Sequence, residues 1–237
     1  MSTHGGPNIV TDGLVFSVDA ANKKSYPGSG TTITDIGGNE NTGTLTNGPT
    51  FDSGDGGSIF FDDTNDYITF GNTSTLNFEW NDPHSIEVWL KRSNSGASHI
   101  VGKGGSSGTF RGTEFTFNGA NKVFYIIRNT NSTSNRIYSI TTGTYNDGEW
   151  HQFVVTYDGS GTAGGIGIYV DTVSDVNVVD TGNITGGTTS TSIAVIGARN
   201  GVANYFGGNI ASVKYYNKVL TEKEILQNYN ALKNRFI

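Results

Sequence analysis

Residues 148–171, GEWHQFVVTYDGSGTAGGIGIYVD, constrain the fold more than any other stretch of the chain. Phe153, Val155 and Tyr157 alternate with Gln152, Val154 and Thr156, and Ile166, Ile168 and Val170 alternate with Gly167 and Tyr169. A period of two is that of a β-strand with one apolar face, so the stretch is predicted to be a half-buried hairpin joined by a glycine-rich loop. Trp150 opens the first strand after an Asn146-Asp147-Gly148 turn, and Asp171 closes the second. A lone hairpin cannot bury such a face, so the rest of the chain has to supply strands that pack on it.

The flanking sequence is suited to that task. Leu14, Phe16 and Val18 mark a first strand ending at Asp19, and a long polar segment follows over residues 20–49. Residues 51–70 read as two strands around a turn of Asp62, Asp63, Asn65 and Asp66. Ile86, Val88 and Leu90 share a face opposite Glu87, Trp89 and Lys91. Further strands are expected at 114–117, as a hairpin at 123–128 and 136–140 around an Asn/Ser loop, and at 192–196 and 210–216; residues 173–184 read as irregular. The 34 glycines cluster with Ser, Thr and Asn between the apolar runs, as many tight turns require. Hydrophobic residues make up only 34%, yet 13 Phe, 11 Tyr and 3 Trp bring enough area to bury for a core without disulfides or metals.

One helix is expected, at the end of the chain. Thr221 and Glu224 have capping-box spacing, Leu220 and Ile225 are placed as a hydrophobic staple, and Ile225, Tyr229 and Leu232 form one stripe. The stripe packs on the β-domain or, alternatively, on another copy of the chain. The expected organisation is a polar tail over 1–10, one all-β domain over 11–220 and a helical segment over 221–237.

These blocks carry a family likeness. Gly148-Glu149-Trp150-His151 leading to Val154-Val155-Thr156-Tyr157-Asp158-Gly159, then Ile168-Tyr169-Val170-Asp171, resembles the central hairpin of laminin-G-like jelly rolls of the concanavalin A-like lectin/glucanase superfamily. Ser58 to Phe61 with Asn65 to Ile68, Ser85 to Lys91, and Ile196-Gly197 through Phe206-Gly207-Gly208 to Ile225 resemble its flanking strands, in the same order. The resemblance implies a two-sheet antiparallel β-sandwich with a short C-terminal helix, a scaffold that hosts lectins, hydrolases, adhesion modules and structural proteins alike. Asp19-Ala20-Ala21-Asn22, Ser25 to Gly30, and Gly43 to Pro49 are in turn similar to the opening of laminin-G-like domains in virion proteins of tailed bacteriophages. That second resemblance implies a non-catalytic head decoration, fibre or tail component on the particle exterior. Its partners would be other virion proteins, further copies of itself and cell-surface glycans. The alternatives within the superfamily are a free-standing lectin and a glycoside hydrolase.

The residues narrow the chemistry. With Cys 0, disulfide frameworks, thiol catalysis and cysteine-zinc sites are excluded. The first ten residues lack the basic and apolar regions of a signal peptide, so synthesis in a cytosol is expected. A net charge of -6 without a dense Lys/Arg run argues against nucleic acid. Glycan hydrolysis needs two carboxylates flanking the bond, and no acidic run of the Glu-x-Asp-x-Glu kind exists; Glu79 and Asp82 lie in a turn, and Glu87 and Glu114 stand alone. Residues 53–60 match the sialidase Asp-box only in part and read as a hairpin turn. His4, His84, His99 and His151 are scattered, His151 being expected to pack or hydrogen-bond. Calcium takes carboxylate, amide and carbonyl oxygens from loops, which points to Asp19, Asp35, Asn39 and Asn41, and secondarily to Asp62, Asp63, Asn65 and Asp66; solvated Asp/Asn turns are the alternative. Sugar rings stack on aromatic faces, and the loop aromatics available are Tyr26, Trp80, Tyr145, Tyr205 and Phe206.

Overall fold

A computed structural model describes residues 7–104, 110–130, 135–178, 180 and 182–237. Its strands, in chain order, begin with β1 (Leu14–Asp19), β2 (Thr32–Thr34), β3 (Thr42–Thr46), β4 (Thr50–Asp52), β5 (Ser58–Asp62) and β6 (Tyr67–Thr69). They continue with β7 (His84–Lys91), β8 (Ser98–Gly104), β9 (Gly112–Phe117), β10 (Val123–Arg128), β11 (Arg136–Thr141) and β12 (Trp150–Tyr157). The last are β13 (Ile166–Val170), β14 (Val173–Ser174), β15 (Val176–Val178), β16 (Val195–Ile196) and β17 (Gly207–Tyr216), before helix α1 (Glu222–Leu232). They form two antiparallel sheets. The first runs β14-β13-β12-β7-β17-β5-β4, with β1 also on β17, and the second runs β15-β11-β10-β9-β8-β16-β6-β3-β2.

The hairpin of residues 148–171 is β12 paired with β13, Val155 facing Ile168. Phe153, Val155 and Tyr157 point inward with Ile86, Val88, Leu90, Val213 and Tyr215 of the same sheet, meeting Val101, Phe115, Phe117, Tyr125 and Ile127 of the other. The hairpin is buried on both faces rather than one. Val154 and Trp150, on the outer side, are covered by α1 and by the residues that flank it.

The capping box forms as the spacing predicts: the Thr221 hydroxyl accepts from the Glu224 amide, and the Glu224 carboxylate accepts from the Thr221 amide. Leu220 and Ile225 join one buried cluster with Val10, Val154 and Tyr216. Tyr229 and Phe236 stack on Trp89, with centroids 5.5 and 4.5 Å away. Under the helix lies a polar clasp. The Lys214 ammonium donates to Glu87 at 2.9 Å, and the Asn228 amide donates to Glu87 at 2.6 Å and to the Tyr216 hydroxyl at 2.9 Å. The Asn228 carbonyl accepts from the Val10 amide at 2.7 Å. Residues 1–6 of the expected tail lie outside the described residues, whereas Val10 is buried by this clasp.

Three local expectations change. Residues 51–70 hold three strands rather than two, β4, β5 and β6, and the Asp/Asn turn of residues 62–66 carries the chain from β5 in the first sheet to β6 in the second. Residues 173–178, read as irregular, are two short strands, β14 completing the first sheet and β15 the second. Here the chain turns in two residues, Asp171 and Thr172, both with positive φ (48° and 76°), which suits the twist of a tight hairpin. Strand character near residue 192 is confined to β16, whereas β17 starts earlier than expected, at Gly207. Gly208, at φ +135°, lets β17 pass Lys91 where a Cβ would stand 2.3 Å from the Lys91 carbonyl oxygen.

Candidate functional site: a groove on the open sheet

The helix covers the outer face of the first sheet, and the outer face of the second carries a groove of about 540 Å³. Its floor follows from strand alternation. Phe115, Phe117, Val123, Tyr125, Ile127 and Ile137 turn into the core, so their neighbours on β9, β10 and β11 face outward. Three rows result across the sheet: Thr116, Phe124 and Ile140; Glu114, Ile126 and Tyr138; Gly112, Arg128 and Arg136. The segment between β16 and β17 supplies Arg199 and Asn204 as one wall, held by the His99 amide donating to the Asn204 carbonyl. Asn118 and Gly119, in the β9–β10 turn, complete one end.

The chemistry of the floor is mixed. Phe124 and Tyr138 lie on neighbouring strands with centroids 5.0 Å apart. Glu114 and Arg128 are buried, and one Glu114 oxygen accepts from both the Arg128 guanidinium and Arg199 Nε, the latter at 3.2 Å. Phe110 sits under both guanidinium groups, at 5.2 and 5.3 Å. Burial pushes Arg128 below its usual range; Glu114 opposes that shift, and Arg199 and Arg136 add to it. His99 is fully buried and pushed down to about 4, chiefly by loss of hydration, so it is neutral at pH 7.

The loop aromatics singled out from sequence are dispersed. Tyr26 is buried against Phe51, its hydroxyl donating to the Gly30 carbonyl. Trp80 packs on the core, its carbonyl accepting from Tyr157. Tyr145 donates to Asp175 at 2.5 Å and rests edge-on to His151 and Phe153. Tyr205 is half-buried near Gly201, and Phe206 is in the core beside Phe61. None of the five lines the groove. The signal that points to the groove instead was on the strands: Phe124 and Ile126 of β10, with Tyr138 and Ile140 of β11, are too apolar for a plain solvent face.

Of the calcium candidates, Asp35 and Asn41 are brought together, whereas Asp19 and Asn39 are engaged elsewhere. The Asp19 carboxylate is taken by the Arg235 guanidinium at 2.9 and 3.1 Å. Asp35 accepts from the Ser17 and Gly37 amides and from Asn41, whose own carbonyl accepts from Thr73; Asn39 donates to the Val15 carbonyl. The carboxylates of Asp19 and Asp35 and the side-chain carbonyl of Asn41 already have donors, so as folded they do not present open oxygens to a calcium ion. In the second group, Asp62 accepts from the Thr64 and Asn65 amides and Asp66 from the Asp62 amide, an Asx-type turn. Among the described residues no three His, Cys, Asp or Glu side chains gather at metal-binding range. His151 hydrogen-bonds, with Nδ1 2.6 Å from Asp171 and Nε2 3.2 Å from Asp147.

The two-sheet topology has a counterpart in sequence, because a laminin-G-type family model described as "Concanavalin A-like lectin/glucanases superfamily" matches residues 62–226. The chain belongs to that superfamily. No individual characterised protein matches it by sequence. Among solved structures, this concanavalin A-like chain is similar to the binding domain of Paraclostridial Mosquitocidal Protein 1 (TM-score 0.65, 17% identity, covering 93% of this chain and 52% of that one). It is also similar to the binding domain of botulinum neurotoxin DC in complex with rat synaptotagmin II (TM-score 0.69, 14% identity, 94% and 52%). A third is Trypanosoma rangeli sialidase in complex with the inhibitor DANA (TM-score 0.67, 13% identity, 97% and 34%). At these identities the likeness is one of fold, and the chain spans only about half of the toxin structures and a third of the sialidase.

Proposed function

We propose that this concanavalin A-like chain is a non-catalytic glycan-binding module, and that it serves as an exterior structural component of a tailed-phage virion. The observation that carries the binding reading is the Phe124–Tyr138 pair, 5.0 Å apart on the uncovered sheet and flanked by the polar side chains of Thr116, Asn118 and Asn204. Aromatic faces offer stacking surfaces for sugar rings, and hydroxyl and amide groups fix their orientation. A non-catalytic role is supported by the carboxylates of the groove. Among the described residues Glu114 is the one acidic side chain lining it, and it is engaged by two arginines. Hydrolysis of a glycosidic bond requires a second carboxylate across the bond. The virion placement is supported by the likeness of residues 19–49 to phage laminin-G-like openings.

A glycan array followed by isothermal titration tests the binding reading. Tyr138→Ala is expected to weaken glycan binding about tenfold, or about 1.4 kcal/mol. Tyr205→Ala, away from the groove, is expected to leave it unchanged. Equal affinities for the wild type and Tyr138→Ala would place binding elsewhere. Immunogold labelling of purified phage particles tests the virion placement.

A further inference from the structure

The charges of the groove do not balance, and the imbalance is unusual for this chain. Arg128, Arg136 and Arg199 line it, three of the 15 Lys and Arg of a protein whose net charge is -6. Against them stands Glu114, whose single oxygen serves two of the three. Among the described residues the acidic partner of Arg136 is Asp180, at 3.8 Å, too far for a hydrogen bond, and the Arg136 Nε has no hydrogen-bond partner there. The Nε of Arg128 has none either.

Strand register sharpens the point. Arg128 and Arg136 are directly opposed across the β10–β11 pair, on the same outward face. Like charges in that position repel each other, and Arg128 is buried, so the repulsion is poorly screened by water. A guanidinium presents a planar fork of donors that matches a carboxylate two bonds at a time. An anion between the opposed arginines would relieve the repulsion, and a sugar ring attached to it would reach Tyr138, over which Arg136 already lies at 5.4 Å.

We propose that the groove selects acidic glycans, those whose terminal or internal sugar bears a carboxylate, with Arg128, Arg136 and Arg199 receiving the carboxylate and Tyr138 and Phe124 the ring. This rests on the reading of the groove as a glycan site. Neutral glycans of the same size lack the group that the arginines are arranged to meet, and they add no negative charge between Arg128 and Arg136.

The test uses the full chain on an array that holds sialic-acid- and uronic-acid-terminated oligosaccharides, their carboxyl methyl esters, neutral parents such as lactose, and sulfated fragments. Titration with the best acidic and matching neutral compounds follows. Acidic members are expected to bind at least tenfold more tightly than their esters and parents, with an affinity that falls as salt rises from 50 to 500 mM. Arg136→Gln and Arg199→Gln are each expected to bring the ratio of acid to methyl-ester affinity, read within the same variant, most of the way to one. Equal binding of acids and esters, a preference retained in both arginine variants, or binding of the sulfated fragments alone would overturn the carboxylate assignment and leave glycan binding intact. Silence across the whole array, neutral members included, would overturn the glycan reading and this inference with it.

Discussion

Asn228 is the point at which the helix, the N-terminal stretch and the first sheet are tied together, so its removal has a calculable consequence. In Asn228→Ala the Val10 amide loses its acceptor, the Glu87 carboxylate loses one of two donors, and the Tyr216 hydroxyl loses a donor. Asn228, Glu87 and Tyr216 are fully buried and Val10 nearly so. An orphaned buried amide costs about 1–3 kcal/mol and a hydrogen bond to a charged group about 1.5–3 kcal/mol, so the loss is about 2.5–6 kcal/mol. At this chain length each kcal/mol moves the melting temperature by about 2–4 °C, giving a fall on the order of 10 °C. Calorimetry at pH 7, with urea unfolding for the free energy, reads both numbers. Leu226→Ala, on the exposed side of the same helix, is the control and is expected within about 0.5 kcal/mol of the parent. Asn228→Asp keeps an acceptor for Val10 but sets a second carboxylate against Glu87, so its deficit is expected to grow as pH rises. An Asn228→Ala protein within about 1 kcal/mol of the wild type would refute the view that this clasp fixes the helix.

Two further outcomes follow from local geometry. Thr172 holds a β-branched side chain at φ 76°, a conformation that glycine adopts freely, so Thr172→Gly is expected to raise stability by about 0.5–1 kcal/mol in the same urea assay. His151 is raised above its usual range, first by its hydrogen bond to Asp171 and then by the charges of Asp171 and Asp147, against the opposing effect of burial. A raised folded value means that its contribution is complete below about pH 6.5 and fades as pH climbs through that folded value. Melting curves from pH 5 to 9 are therefore expected to show a decline in the wild type that His151→Gln lacks; superimposable pH profiles would remove His151 as the cause.

Much of the fold was legible because it is written in alternation. The 153–157 and 166–170 runs and the 86–90 run declared their inward faces residue by residue, and the Thr221–Glu224 box declared the helix start. The outward faces were harder. Glu87 and Lys214 look like solvent residues in sequence, yet they pair under a helix that lies well over a hundred residues downstream of Glu87. The short strands at 173–178 carry few apolar residues, since edge strands need only the backbone ladder and not a greasy face. The groove was least legible of all. Arg128 and Arg136 face each other across the expected hairpin, but Glu114 and Arg199 join them only because β9 lies beside β10 and the β16–β17 connection folds over their end. Loop aromatics drew attention because loops usually hold binding residues, whereas Phe124 and Tyr138, aromatic rings that line the groove, are on strands.

The position of α1 also decides how the molecule can be held. Helix, closing turn and residue 237 all lie on the layer that carries Trp89 and Trp150, with Phe236 wedged against both indoles. Anything coupled to that end, whether a sensor-chip linker or a neighbouring protein, grips the side remote from the arginine-lined surface. The module then presents its basic face outward, much as a hand held by the wrist keeps its palm free.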